Sequence, residues 1–149
     1  MKEIKGFFKK YRFLSNFCYC DEVKLGNLKF NTVENAFQAA KTLDVEERKK
    51  FQNISPKEAK ALGRRVKLRP DWEEIKDDIM QFLVDQKFRK DEDLKLQLLK
   101  TEEAYLEETN NWGDRYWGVD KIGENKLGWI LMKVRKKLKR REIRYDKET

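Results

Sequence analysis

Along this chain the apolar positions change period: they crowd the first thirty residues and then recur every three or four positions almost to the end. The early region supplies Phe7, Phe8, Tyr11, Phe13, Phe17 and Tyr19, and Val23 to Phe30 reads as a hairpin turning at Gly26-Asn27, so a small N-terminal sheet is expected. Thr32 stands where an N-cap belongs and opens a helix expected to reach about Thr42. Asp44 can cap a short helix through Phe51. Ser55-Pro56-Lys57-Glu58 is a sharper signal, with N-cap, first helical residue and capping-box partner in order and Gly63 as the stop. From Asp71 a long amphipathic helix is expected to bury Trp72, Ile75, Ile79, Phe82 and Leu83, and another follows over 91–100 with Leu94, Leu98 and Leu99. An acid-rich loop is expected around Glu102 to Glu108, then an ordered loop over 110–123 whose Trp112 and Trp117 need something to pack on. Leu127, Ile130, Leu131, Val134 and Leu138 trace the buried stripe of a final helix with its basic residues outward.

These elements place the chain in the α+β class, predominantly helical, with a small N-terminal sheet. Its 149 residues hold no linker-like stretch and no internal repeat, so residues 1–149 are expected to form a single domain. No apolar run is long enough to cross a bilayer, and the charged start lacks the apolar stretch of a secretion signal, so no membrane association and a cytoplasmic setting are expected. Cys18 and Cys20, one residue apart, fit neither a redox pair nor a zinc site and read as packed or partly exposed thiols. The 35 Lys and Arg against 27 Asp and Glu give a net charge of +8. Eight basic residues against one acid between Lys133 and Arg144 put 8 − 1 = +7 of it in a basic C-terminal tail at about 133–149. Such a tail can attract nucleic acid or a phosphorylated ligand, and it equally fits the solvated side of a helix.

The chain contains no histidine, which excludes Ser-His-Asp and Cys-His mechanisms and removes the commonest zinc ligand. Catalysis must then rest on carboxylates, lysine, tyrosine or water, and no metal or cofactor is expected. Against that background one stretch stands out. Glu34, Gln38 and Lys41, four and three residues apart, project from one side of a helix within about 60° of arc, while Val33, Ala36, Phe37, Ala39, Ala40 and Leu43 gather on another. An acid, an amide and an amine on one rigid face suit a catalytic site. They also suit a plain solvated helix, and periodicity does not separate the two readings.

The surrounding motifs add to this. Arg12-Phe13-Leu14-Ser15-Asn16-Phe17 precedes Thr32 to Lys41; Ala59 to Arg64, Asp71-Trp72, Lys87-Phe88, Asp114-Arg115-Tyr116-Trp117-Gly118 and Gly123 to Arg135 follow. In that order, from about Phe13 to Arg135, the chain resembles the NADAR family of YbiA-like proteins, most specifically in the last stretch. The resemblance implies an N-glycosidase that breaks a ribose–base C1'–N bond, in ADP-ribosylated guanine of nucleic acid or in a ribosylamino-pyrimidine phosphate of riboflavin synthesis. It implies Glu34 as the functional acid and Lys41 as either an anchor for phosphate or ribose oxygens or an amine that attacks C1'. Asp114 matches as a second acid and Trp117 as a stacking ring, beside a substrate contact at Asn16 and Phe17. Gln38 shares the Glu34 face, and Arg64 and Arg65 can grip phosphate. Glu34, Lys41, Asp114 and Trp117 are expected to line one pocket.

Two departures bear on this. Asn35 replaces the family's usual histidine, which puts any help from that side chain in doubt, and Asp120 with Trp112-Gly113 marks an altered loop. The expected partner is a nucleotide sugar or ADP-ribosylated nucleic acid, with nucleic-acid contact through the tail. The competing reading is a non-catalytic module that binds ADP-ribose, nucleotide or nucleic acid.

Overall fold

The computed structural model describes residues 2–148; Met1 and Thr149, the ends of the expected domain and tail, lie outside the described residues. In chain order the elements are β1 (Glu3–Lys5), a 3-10 helix (Lys9–Leu14), β2 (Val23–Leu25), β3 (Leu28–Phe30), α1 (Val33–Ala39), α2 (Val45–Lys49), α3 (Pro56–Gly63), α4 (Trp72–Lys90), α5 (Glu92–Leu99), β4 (Tyr105–Glu107) and α6 (Lys126–Glu148). The α+β class dominated by helices is what the pattern of apolar positions led one to expect. The chain forms two compact units, a middle one of residues 16–91 and a terminal one of residues 1–15 with 92–149.

In the middle unit β2 and β3 pair antiparallel, Val23 opposite Phe30 and Leu25 opposite Leu28, about a turn in which Gly26 takes a φ of 61°. Gln86 of α4 extends this hairpin, because its amide accepts the Lys24 N–H at 2.8 Å and donates to the Lys24 carbonyl at 2.9 Å. Ser55 and Glu58 form the expected capping box at α3, and Asp44 caps α2 through the N–H groups of Glu46 and Glu47. The buried side of α4 differs from the expected one. Trp72, Met80, Leu83, Val84 and Phe88 are buried, whereas Phe82 is 55% exposed. Gln86, paired with β2, and Lys87 both face inward, and the Lys87 Nζ lies 4.8 Å from the Phe88 ring centroid.

In the terminal unit β1 runs parallel to β4, with Ile4 opposite Leu106. The acid-rich stretch expected to be a loop therefore contains a strand, whose single fully buried residue, Leu106, is too short a pattern to announce itself. α6 buries Leu127, Ile130, Leu131, Val134 and Leu138 as expected. Gly128 lets it close on β4, since a Cβ there would collide with the Leu106 carbonyl. Asn125 pins the approach: its Oδ1 accepts the Glu108 N–H and its Nδ2 donates to the Leu106 carbonyl. Arg135 breaks the outward rule, lying buried with its guanidinium donating to the Thr101 hydroxyl at 2.9 Å. Among the described residues no helix is long and apolar enough to cross a membrane.

Candidate active site

Thr32 begins the site. Its backbone is extended and its hydroxyl accepts the Asn35 N–H at 2.9 Å, so the helical register starts at Val33 and Glu34 falls in the first turn. The Asn16 carbonyl accepts the Glu34 N–H at 3.1 Å and ties Asn16 to that turn. All seven residues of α1 are buried, including Glu34 at 7% and Gln38 at 6% exposure. A solvated helix face is thereby ruled out. An acid taken this far from water needs a hydrogen-bonded partner.

Gln38 supplies it, donating from Nε2 to the Glu34 Oε1 at 2.9 Å. The other end of the amide, Oε1, is buried with no protein partner and lies over Gly63, where a Cβ would collide with it. Glycine is therefore what lets the end of α3 close on α1. That approach matters for Lys41, which feels Lys60 and Arg64 of the α3 region.

Lys41 lies just beyond α1 rather than inside it. The helix ends at Ala39, and the N–H groups of Lys41 and Thr42 reach the carbonyls of Gln38 and Ala39 in a tightened final turn. The amine nonetheless keeps company with Glu34. Burial holds the Lys41 ammonium below its ordinary range; Glu34 opposes that shift, and Arg64 and Lys60 add to it.

Two arginines that sequence reasoning passed over hold this segment. Arg69 donates its backbone N–H to the Lys41 carbonyl at 2.8 Å and its guanidinium to the Ala40 carbonyl at 3.4 Å, and forks onto Asp71 at 2.7 and 3.2 Å. Arg48 Nε donates to the Thr42 carbonyl at 2.7 Å. The Ala40 and Thr42 carbonyls, just past the end of α1, thus receive cationic donors, which suit the negative end of a helix. In sequence Arg69 was only the residue before a proline, so its partners had no visible signal.

Asn35 points to other work. Its Nδ2 donates to the carbonyls of Phe51 and Ile54 at 2.9 Å each, and its Oδ1 accepts from the Thr32 hydroxyl, so the residue stitches the 51–54 turn to α1. It lines a cavity of about 380 Å³ with Phe30, Thr32, Phe51, Gln52 and Ile54, and none of the candidate site residues lines that cavity. The Asn16 side chain donates to the Met80 Sδ at 3.4 Å, Phe17 is half-buried, and Arg64 and Arg65 are exposed at the end of α3. Burial pushes the Cys20 thiol up to about 11, which fits a packed residue and not a poised thiolate.

In the terminal unit Asp114 organises its own loop. Its Oδ1 accepts the N–H groups of Tyr116 at 3.1 Å and Trp117 at 2.9 Å, and Asn110 clasps its backbone from both sides. Trp117 is half-buried, edge-on to Tyr116 at 4.8 Å. The altered positions belong together, because Asp120 Oδ2 accepts the Gly113 N–H at 2.8 Å. Trp112, expected to be packed, is 59% exposed.

The candidate residues thus fall into two groups, Glu34, Gln38, Lys41 and Arg64 in the middle unit and Asp114 and Trp117 in the terminal one. A NADAR domain profile matches residues 5–139. An "N-glycosidase YbiA" of Shigella flexneri serotype 5b is 37% identical over 134 residues, covering 86% of this chain and 82% of its own. An N-glycosidase of Nostoc punctiforme is 38% identical over 116 residues, covering 72% and 74%. A riboflavin biosynthesis protein of Vibrio vulnificus is 34% identical over 137 residues, 87% of this chain but 36% of its own length. The NMR structure of the Escherichia coli protein YbiA superposes with a TM-score of 0.83 at 32% identity, over 95% of this chain and 88% of that one. On the extent of these matches, the chain belongs to the NADAR domain family.

Proposed function

We propose that this protein is an N-glycosidase that breaks the C1'–N bond between a ribose and a base, with ADP-ribosylated guanine of nucleic acid or a ribosylamino-pyrimidine phosphate as its substrate. One observation carries the reading: a buried carboxylate, Glu34, is oriented by Gln38 beside Lys41, whose burial favours the neutral amine. C1'–N cleavage builds positive charge on the sugar, which a fixed carboxylate stabilises without reorganising. The lowered pKa enlarges the deprotonated fraction of Lys41, whose lone pair can attack C1'. The Nζ–C1' bond forms as the C1'–N bond breaks, and its electron pair leaves on the base nitrogen, which takes a proton. Ring opening then gives a Schiff base between Nζ and C1', and water releases the sugar.

Gln38 holds Glu34 in place, and Arg64 offers a phosphate contact near Lys41. Asp114 is proposed as a second acid and Trp117 as the stacking ring. Asp114→Asn keeps an oxygen for the Tyr116 and Trp117 N–H groups and removes the charge, so lost turnover at an unchanged melting temperature assigns Asp114 to chemistry, and unchanged turnover leaves it as a loop cap. The basic tail is proposed to hold the polymer of a nucleic-acid substrate.

The test is to incubate the protein separately with guanine-ADP-ribosylated DNA and with the ribosylamino-pyrimidine phosphate, and to follow released base by mass spectrometry. Borohydride added during turnover should leave a reduced sugar adduct on the Lys41 peptide. Turnover without that adduct removes Lys41 as nucleophile and leaves it as an anchor; no release from either substrate removes the glycosidase reading.

A further inference from the structure

α6 carries a second pattern on its outer side. At about 100° per residue, Trp129, Lys133, Lys136, Lys137, Arg140 and Arg144 fall within a wedge of about 100°, all of them exposed, and no described acid of α6 shares it. The carboxylates nearby are engaged on the flanks, Glu103 with Lys139 at 3.1 Å and Glu142 with Lys95 at 2.9 Å. Among the described residues none of the five cations in the wedge forms an ion pair. Like charges three and four residues apart disfavour a helix by themselves. Here the buried stripe from Leu127 to Leu138 holds it, so the row of cations stays aligned, with Lys136 also acting on the Glu103 carboxylate that Lys139 pairs.

At the head of the row stands Trp129, 57% exposed. Its ring meets Tyr105 edge-on at 5.8 Å and 71°, a contact that fixes the indole and occupies at most one of its faces. An aromatic face in line with cations stepped roughly 1.5–6 Å apart along the axis is the combination that binds an unpaired strand: phosphates follow the charges and a base stacks on the ring.

We propose that this face of α6 binds single-stranded nucleic acid, with Lys133, Lys136, Lys137, Arg140 and Arg144 along the backbone and Trp129 under a base. The proposal rests on the reading of the basic tail as a nucleic-acid contact, and is independent of the glycosidase chemistry. A duplex keeps its base faces stacked and offers the indole nothing. A membrane is disfavoured because the apolar stripe through Leu138 is already committed to the unit's own core.

Fluorescence anisotropy of the full chain with a labelled single strand of about 16 nucleotides, with the matching duplex, and vesicle sedimentation with phosphatidylserine tests this. The single strand should bind more tightly than the duplex, with log affinity falling linearly in log salt. Lys137→Glu with Arg140→Glu should flatten the salt slope, whereas Trp129→Ala should weaken single-strand binding roughly tenfold at an unchanged slope, with Trp129→Phe retaining most of it. Equal or tighter binding of duplex, or an unaltered Trp129→Ala, overturns the single-strand proposal and leaves the tail reading standing. Binding to vesicles alone, or to neither nucleic acid, overturns both. Base release from the small substrate reports separately on the glycosidase.

Discussion

α1 and α6 are both helices with polar side chains on one side and apolar ones on the other, yet they end in opposite circumstances. In α6 the division is the ordinary one: Leu127 to Leu138 face the core, and Lys133, Lys136, Lys137 and Arg140 face water. In α1 nothing faces water, and Glu34 and Gln38 are as enclosed as Phe37. The difference comes from what lies across from each polar side. Gly63 allows α3 to close over Gln38, whereas the residues on the outer side of α6 stay exposed. A polar stripe on a helix is therefore exposed or enclosed according to its neighbour, and the enclosed one is the candidate for chemistry.

Glu34→Gln should separate the two helices most widely. It keeps the side chain's size and removes the charge, and turnover should fall by about 10² to 10⁴ while ligand affinity largely survives. A folded Glu34→Gln protein that cleaves at the wild-type rate would end the mechanism and return α1 to a merely structural role. Next in size is Gly63→Ala, where a methyl group meets the Gln38 amide oxygen. Overpacking of this kind should lower stability by about 1–3 kcal/mol. Turnover should fall as well, because the displaced amide no longer orients Glu34; a melting temperature within error of wild type would show that α3 yields without disturbing the site.

The shared face of Glu34 and Gln38 was legible because a spacing of four residues fixes direction on a helix whatever surrounds it, whereas Lys41 falls past the end of α1 and meets Glu34 from a tightened final turn. The burial of that face was not, since it depends on α3, which follows in sequence and reaches α1 through a glycine read only as a helix stop. Arg69 and Arg48 were invisible for a related reason: they act on backbone carbonyls of residues 40–42, which leave no mark in composition. β4 was missed because a three-residue strand offers one inward side chain. Phe82 was misplaced because apolar spacing alone could not show that the polar Gln86 and Lys87 would take buried positions on α4, Gln86 by pairing with β2. The caps at Thr32, Asp44 and Ser55 were all legible, being contacts within three residues of one another.

Lys41→Met gives a smaller and pH-dependent effect. Burial lowers the Lys41 pKa in the folded chain below the 10.5 of an ordinary lysine, so below the lowered value the folded state carries a charge that it holds less easily than the unfolded state does. As pH rises between the lowered pKa and 10.5, the folded state loses its proton first and wild-type stability gains relative to the unfolded chain. Methionine has no charge to lose. The variant should therefore melt above wild type at neutral pH, and its advantage should shrink through that interval. A difference in melting temperature that stays constant from neutral pH to above 10.5 would mean that Lys41 is not desolvated as described.

The smallest expected effect belongs to the outer side of α6. Lys136→Glu and Lys137→Glu change exposed side chains that make no ion pair among the described residues, so each should alter stability by no more than about 0.5 kcal/mol and leave turnover of a small ribosylated substrate unchanged. Turnover of a polymeric substrate should respond differently. Each cation that releases a counterion from single-stranded nucleic acid contributes roughly 0.7 to the slope of log affinity against log salt, so the two reversals together should flatten the salt dependence of its KM by about twice that amount. Parallel salt titrations of both substrates make the comparison internal to one preparation. If the small substrate loses turnover as much as the polymer does, these lysines act on the site and α6 is no longer the solvated counterpart of α1; if neither substrate responds, the row of charge is a solvated surface and the polymer is held elsewhere.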